Sequence, residues 1–200
     1  MGGKLADKVL GMVRKEGMIH SRELTKAGIS RVYLYRLREQ KVVRRVARGL
    51  YVAQEADPTE HHTLAEACLL HPRGVLCLLS ALQFYHLTTQ APFEVWMAIE
   101  SKAWKPKTKR PAMRFVRFGG RAFTEGVEAH QVEGVKLKVY RPAKTIADCF
   151  KYRNKIGLEV ALEALRDGKR QRKCTNDELW YYAKICRVAQ VMKPYLEAMG

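Results

Sequence analysis

The sequence predicts an α+β protein, with an N-terminal winged helix-turn-helix followed by a larger α/β C-terminal domain that has a central sheet and flanking helices. Three observations support this prediction. Over the first 53 residues the patterns follow the order helix, helix-turn-helix, hairpin. A polar stretch containing Pro58 then interrupts the hydrophobic periodicity. Beyond it, apolar strands precede amphipathic helices, an order typical of α/β or α+β domains.

The N-terminal segment predicts three helices. The first spans residues 4–16, with an inward stripe of Leu5, Val9, Met12 and Val13. Ser21 is suited to cap a second helix, RELTKA, and Ser30 a third over residues 31–40. Only Gly28 and Ile29 separate them, which matches the tight turn of a helix-turn-helix.

The third helix and the segment after it predict a basic surface. Tyr33, Leu34 and Leu37 fall on the inward side of the helix, which leaves its arginines outside. The β-branched run VVRRVA, a turn at Arg48 and Gly49, and the strand LYVA then predict a hairpin. A small helical bundle with a solvated basic face is the alternative architecture.

Charge indicates that this surface meets phosphates. The chain has 37 Lys and Arg against 20 Asp and Glu, a net charge of +17, and residues 30–53 contain seven of these cations and one acid. The spacing favours guanine contacts for Arg31 and Arg36. It favours contacts with the DNA backbone for Tyr35 and Arg38, and phosphate or minor-groove contacts for the hairpin arginines. The candidate DNA-binding residues are Ser30, Arg31, Tyr35, Arg36, Arg38, Arg44, Arg45 and Arg48. A basic hairpin that docks an acidic protein partner is an alternative.

The rest of the chain predicts the second domain. We place the domains at residues 1–55 and 59–200, with strands in FEVWMAIE, MRFVRF and VKLKVY. A helix is predicted from Thr59 to His71, and GVLCLLSALQFYHL begins as a strand and passes into a helix near Ser80. Further helices are predicted at residues 142–152, at residues 158–165 and as a C-terminal pair, where Thr175 and Glu178 have capping-box spacing.

Five widely spaced cysteines indicate reduced, buried thiols. The sequence has neither a signal-peptide pattern nor an apolar run of membrane-spanning length, so we expect a cytoplasmic protein without a membrane partner. The spacings of His61, His62, Cys68, His71 and Cys77 do not match a zinc site. We expect no cofactor, no metal site and no catalytic residues.

Two features of the second domain leave alternatives open. Glu100, Ser101 and Lys102 follow a strand, as the E-x-K of metal-dependent nucleases does, which makes a nuclease targeted by a winged helix the alternative function. A second carboxylate is not evident nearby. Residues 101–121 contain eight cations and no acid, with Trp104 and Phe115 interleaved. This run is either a nucleic-acid contact or a solvated loop.

The chain resembles the AbiEi family over almost its full length. In the N-terminal part the resemblance lies in the R-x-x-L-x-x-L run from Arg31 and in R-G-L-Y from Arg48. Further on it lies in LLSALQFYHLT from Leu78, FEVWMAI from Phe93, the stretch VYRPAKTIADCFKYRNKIGLEVALEALRD from Val139, and the C-terminal VAQVMKPYLEAM. The segment PAKTIADCF is its most specific part.

The resemblance implies an antitoxin and transcriptional autorepressor of a type IV toxin-antitoxin, or abortive-infection, system. It implies that the winged helix binds double-stranded DNA at promoter repeats of its own operon. It also implies that the C-terminal domain counters a nucleotidyltransferase-like toxin without a stable complex. On this resemblance six candidates lie in DNA-binding elements: Arg31, Tyr35, Arg36, Arg44, Arg45 and Arg48.

Overall fold

A computed structural model of the chain describes residues 2–16, 19–47, 49–53, 59–106, 110–133 and 135–199. The chain divides into two compact units, unit 1 (Met1–Leu70 with Gln131–Lys136) and unit 2 (His71–His130 with Leu137–Gly200). The predicted α+β fold class is confirmed. Most of the stretch between the predicted domains lies outside the described residues, so that boundary stays a prediction.

Unit 1 contains a winged helix-turn-helix. The elements of residues 2–70 are α1 (Gly2–Glu16), β1 (Ile19–His20), α2 (Ser21–Lys26), α3 (Arg31–Glu39), β2 (Val43–Ala47) and β3 (Leu50–Ala53), followed by α4 (His62–Leu70). The strands form an antiparallel sheet in the order β1-β3-β2. Each helix and strand predicted for the N-terminal segment is therefore present.

The core of unit 1 is built from the predicted apolar positions. Val9 and Val13 of α1 are buried together with Leu24, Leu34 and Leu37 from the following helices. Two expectations were wrong. Leu5 is exposed, because it lies a full helical turn before the buried positions of α1. Ser21 is the first residue of α2 instead of its cap, and its backbone N–H donates to the carbonyl of Gly49 at 2.8 Å.

The remaining elements form an α/β arrangement around a second sheet. They are β4 (Val75–Leu76), α5 (Leu78–Phe84), β5 (Val95–Glu100), β6 (Met113–Phe118), α6 (Arg121–Thr124), β7 (Val127–Val132), β8 (Val135–Tyr140), α7 (Pro142–Lys151), α8 (Arg153–Ile156), α9 (Leu158–Arg170), α10 (Asn176–Ile185) and α11 (Ala189–Ala198). The five strands have the order β6-β5-β4-β8-β7. The pair β4/β5 is antiparallel, whereas β4/β8 and β5/β6 are parallel.

Most of these elements match the prediction. The capping box of Thr175 and Glu178 is formed at the start of α10. β7 was not predicted, because its sequence VEAHQV offers only a weak apolar alternation with small or polar residues between the two valines. The helix predicted from Thr59 begins only at His62.

The helix α7 lies at the centre of unit 2 and packs against α5, α9 and α10. Every residue from Ala143 to Phe150 is buried, including Lys144 and Asp148. The Nζ atom of Lys144 lies 2.5 Å from Oδ2 of Asp148, and neither side chain exposes more than 1% of its surface. The segment that carries the most specific family resemblance therefore places an ion pair inside the hydrophobic core.

The cysteines are free thiols. Four of them are buried, as predicted, and Cys174 is half-buried. Burial raises the pKa of Cys77 and of Cys149 far above the ordinary value for a thiol, which keeps both protonated. These thiols are packing residues of the core.

Candidate nucleic-acid interface

The turn between α2 and α3 sets the direction of the third helix. Gly28 has a φ of +78°, a left-handed conformation that glycine adopts without steric cost. The N–H of Ile29 then donates to the carbonyl of Leu24 at 2.8 Å, and the Ile29 side chain is buried in the core of unit 1. Ser30 caps α3, where its Oγ accepts from the N–H of Tyr33 at 3.4 Å.

One face of α3 is anchored and the other is open to solvent. Leu34 and Leu37 are buried in the core of unit 1. Val32, Tyr35 and Arg36, at positions i, i+3 and i+4, share the outward face. Val32 is 65% exposed and Tyr35 is 58% exposed. A nine-residue helix with one buried side and a large exposed aromatic opposite it is well suited to enter a groove.

The two described arginines of α3 differ in their surroundings. The guanidinium of Arg38 lies 3.1 Å from Oε1 of Glu39 and 4.9 Å from the centre of the Tyr35 ring. The hydrogen bond to Glu39 raises the pKa of Arg38 above its ordinary value. Within the described part of the chain, the guanidinium of Arg36 has no carboxylate partner. Arg36 is therefore the more available of the two for a ligand.

Arg44 and Arg45 of the hairpin do not share a face. Arg44 and Arg45 are neighbours on β2, so their side chains point to opposite sides of the sheet. Arg45 is exposed and lies opposite Tyr51 of β3 in the strand register. Arg44 is half-buried, and its Nη2 lies 2.6 Å from Nε2 of His62 on α4. The structure thus places Arg45 on the solvent side and holds Arg44 against α4.

Hydrogen bonds continue from Arg44 through His62 to Glu133. Because arginine can only donate, Nε2 of His62 accepts, which leaves Nδ1 to donate to Oε2 of Glu133 at 2.7 Å. The N–H and the hydroxyl of Thr59 donate to Oε1 of the same carboxylate, at 2.7 and 2.9 Å. Burial opposes ionisation of Glu133, but these hydrogen bonds outweigh it and hold its pKa below the usual range.

Two of the candidate residues lie at least partly outside the described part of the chain. Arg31 begins α3, but its side chain lies outside the described residues, as does the whole of Arg48. Sequence reasoning assigned no ligand contact to Val32, although the helical spacing already put it on the outward face with Tyr35 and Arg36. An exposed valine on such a face offers apolar contact to a thymine methyl group.

The nuclease alternative centres on Glu100, which ends β5 and is exposed. Lys102 is exposed as well. In the described ranges, Glu100 does not belong to any cluster of three side chains that could together hold a metal ion. No helix in those ranges is both long and apolar enough to cross a lipid bilayer.

Comparison with known proteins bears on the winged helix. Residues 13–54 match the family described as transcriptional regulator, AbiEi antitoxin. The matched segment runs from the end of α1 through β3, so it covers the helix-turn-helix and the hairpin. Over residues 13–54 the match confirms the family resemblance indicated by the sequence. No curated protein matches the chain.

Proposed function

We propose that this AbiEi-type regulator is a sequence-specific DNA-binding protein that represses its own operon and acts as the antitoxin of a type IV toxin-antitoxin system. The outward face of α3 is the observation that carries the DNA-binding part, because Val32, Tyr35 and Arg36 project there from a helix anchored by Leu34 and Leu37. The family match over residues 13–54 supports the regulatory and antitoxin parts.

In this proposal α3 enters the major groove of a promoter repeat. Arg36 donates two hydrogen bonds to O6 and N7 of a guanine, the commonest specific contact of this kind. Val32 packs on a thymine methyl group, and Tyr35 contacts a phosphate or sugar. Arg38, shared between Glu39 and the Tyr35 ring, contributes charge near the backbone. Base choice then depends on Arg36 and Val32, whereas Tyr35 and Arg38 set position.

The hairpin contributes phosphate contacts. The side chain of Arg45 is exposed on β2, so we assign it to the DNA backbone. Arg44 has to leave His62 before it can reach a phosphate. We therefore give Arg44 a supporting role, in which it fixes β2 against α4.

A mobility-shift assay on the DNA upstream of the gene, at physiological salt, tests the regulator part. We expect the wild type to prefer upstream DNA over a scrambled duplex. Arg36→Ala should weaken the binding free energy for the upstream DNA by about 1–3 kcal/mol and change that for the scrambled duplex little. Arg166→Ala is the matched control, since it removes one exposed cation from α9. Equal affinity of the wild type for both duplexes would contradict sequence-specific regulation.

The antitoxin part is tested by co-expression with the product of the neighbouring gene under an unrelated promoter. We expect the full chain to relieve growth arrest, and Arg36→Ala to relieve it equally, because neutralisation is assigned to the C-terminal domain. We also expect the two proteins not to co-purify, as no stable complex is proposed. Persistent growth arrest in the presence of the wild type would refute the antitoxin assignment.

A further inference from the structure

A tryptophan in the link between β5 and β6 is exposed to an unusual degree. The two strands are parallel, and β6 is an edge strand of the five-stranded sheet. The link leaves the end of β5 with Trp104 85% exposed, far more than Trp96 of the same strand pair, which is buried. The exposed indole leaves an aromatic face open to a ligand.

The indole forms one wall of a groove that is also lined by two cations. The groove has a volume of about 420 Å³ and is lined by Trp104, Lys105, Pro106 and Arg117. Nη2 of Arg117, on β6, lies 3.5 Å from the carbonyl of Ala103 and so stands beside the indole segment. A volume of this size is in the range of small-ligand sites, about 300–1,000 Å³.

Among the described residues, three cations at or near the groove have no acidic partner. Residues 101–121 contain no Asp or Glu. Arg114 is engaged, because its Nε lies 2.7 Å from Oε2 of Glu94 and its guanidinium stacks over Trp96. Lys102, Lys105 and Arg117, in contrast, have no carboxylate partner within the residues that the structure describes. The groove therefore combines an open aromatic face with unpaired cations.

We propose that this groove binds an unpaired nucleotide of a nucleic acid strand, with the base stacked on Trp104 and the flanking phosphates on Lys105 and Arg117. Stacking on aromatic side chains beside a basic track is the general chemistry of single-strand binding. A duplex keeps its bases stacked on each other and offers no free base face to the indole. An acidic peptide would use the cations but not the aromatic face, and a lipid surface requires a protruding apolar cluster instead of a concave one.

Fluorescence anisotropy with labelled oligo(U) and oligo(dT) of about ten nucleotides, within the usual site sizes, tests this site on the full chain. We expect Trp104→Ala to weaken binding by about 5- to 150-fold. Trp104→Phe should retain most of the affinity. Phe93→Ala removes an aromatic that is even more open to solvent but lies at the opposite end of β5, and it should leave oligonucleotide binding unchanged. Arg117→Ala should lower the slope of log K against log salt by roughly 0.7.

The outcomes distinguish binding in this groove from binding by the winged helix. They also distinguish a nucleic acid strand from other ligands of the groove. Arg166→Ala, which removes an exposed cation of α9 outside both sites, should leave oligonucleotide binding unchanged. Duplex preference is measured separately on upstream and scrambled DNA, so failure of either proposal is visible without the other. Tighter binding of oligo(U) than of oligo(dT) would identify RNA as the ligand, and the reverse would identify single-stranded DNA. Wild-type affinity of Trp104→Ala for both oligonucleotides would overturn the proposal. The proposal would also be overturned if Trp104→Ala lowered the affinity for a scrambled duplex by the same factor. It would be overturned as well if binding to phosphatidylserine vesicles depended on Trp104 and binding to the oligonucleotides did not.

Discussion

Removing the Asp148 carboxylate should destabilise unit 2 by about 3–5 kcal/mol, the usual cost of leaving one partner of a buried ion pair alone. The Lys144 ammonium would then be left with its cation–π contacts to Tyr140 and Phe118, whose ring centres lie 4.2 and 4.8 Å from its Nζ. Such contacts supply about 2 kcal/mol when desolvated, which is less than the cost of a lone buried ammonium. Cys186 would also lose the acceptor of its thiol, 3.2 Å away.

Replacing both partners should cost far less than replacing one. In Lys144→Met combined with Asp148→Leu, no charge is left in the core and each new side chain keeps the branching of the one it replaces, so we expect a stability within about 1–2 kcal/mol of the wild type. Glu197→Ala is the matched control, because its ion pair with Lys193 on α11 is exposed on both sides, with an N–O distance of 3.8 Å. That change should cost less than about 1 kcal/mol.

Tryptophan fluorescence during urea or thermal unfolding reports on unit 2 alone, because all three tryptophans of the chain lie in it. A loss of 3–5 kcal/mol corresponds to a fall in melting temperature of roughly 6–20 °C for a chain of this size. If Asp148→Ala unfolds within about 1 kcal/mol of the wild type, the reasoning is wrong. It is equally wrong if the double variant is as unstable as Asp148→Ala.

Further predictions concern the winged helix and the candidate sites. Arg45→Ala should weaken binding to all duplexes alike and lower the salt slope by roughly 0.9, measured by titration at several salt concentrations. Ser30→Ala should destabilise α3 by about 0.5–2 kcal/mol through loss of its cap, measured by amide hydrogen exchange. An NMR titration should place the pKa of Glu133 below the ordinary value of about 4.3, and His62→Ala should raise it. Because this pKa is lowered by folding, the carboxylate stabilises unit 1 above a pH of about 4.3, and this stabilisation is lost as the pH falls through the lowered value. Purified wild type should not cleave nucleic acid with Mg²⁺ or Mn²⁺, and Glu100→Ala should behave identically.

Each of these predictions has a clear contrary result. If Arg45→Ala lowers the affinity for upstream DNA but not for other duplexes, Arg45 contacts bases instead of the backbone. Unchanged exchange in Ser30→Ala would show that the 3.4 Å cap contributes no stability. A Glu133 pKa that does not respond to His62→Ala would remove the hydrogen-bond explanation. Metal-dependent cleavage that disappears in Glu100→Ala would establish the nuclease alternative.

The sequence predicted the winged helix well because local signals agree there. The Ser30 cap, the Gly28 turn and the buried spacing of Leu34 and Leu37 all point to the same α3. Which residues share a surface was harder to predict. The position of the Arg44 side chain depends on His62, 18 positions away, and on Glu133, 89 positions away. A local sequence pattern does not contain that information.

The second unit shows the same limit. Strong alternation predicted β5, β6 and β8, but the strand order and the edge position of β6 follow from long-range pairing. A Lys and an Asp four residues apart on an amphipathic helix suggest a surface pair. Their burial in α7 arises because α5, α9 and α10 pack against this helix. Likewise, the groove beside Trp104 exists only because Arg117 on β6 meets the link that follows β5.

Methylation interference at guanine N7 tests most directly whether α3 reads the major groove, since N7 lies there. We predict that methylation of particular guanines in the upstream repeats abolishes binding of the wild type. In Arg36→Ala the effect should vanish at one guanine of each repeat and persist elsewhere. An identical interference pattern for the two proteins, or interference confined to adenine N3 in the minor groove, would contradict the assignment of Arg36 and α3 to base recognition.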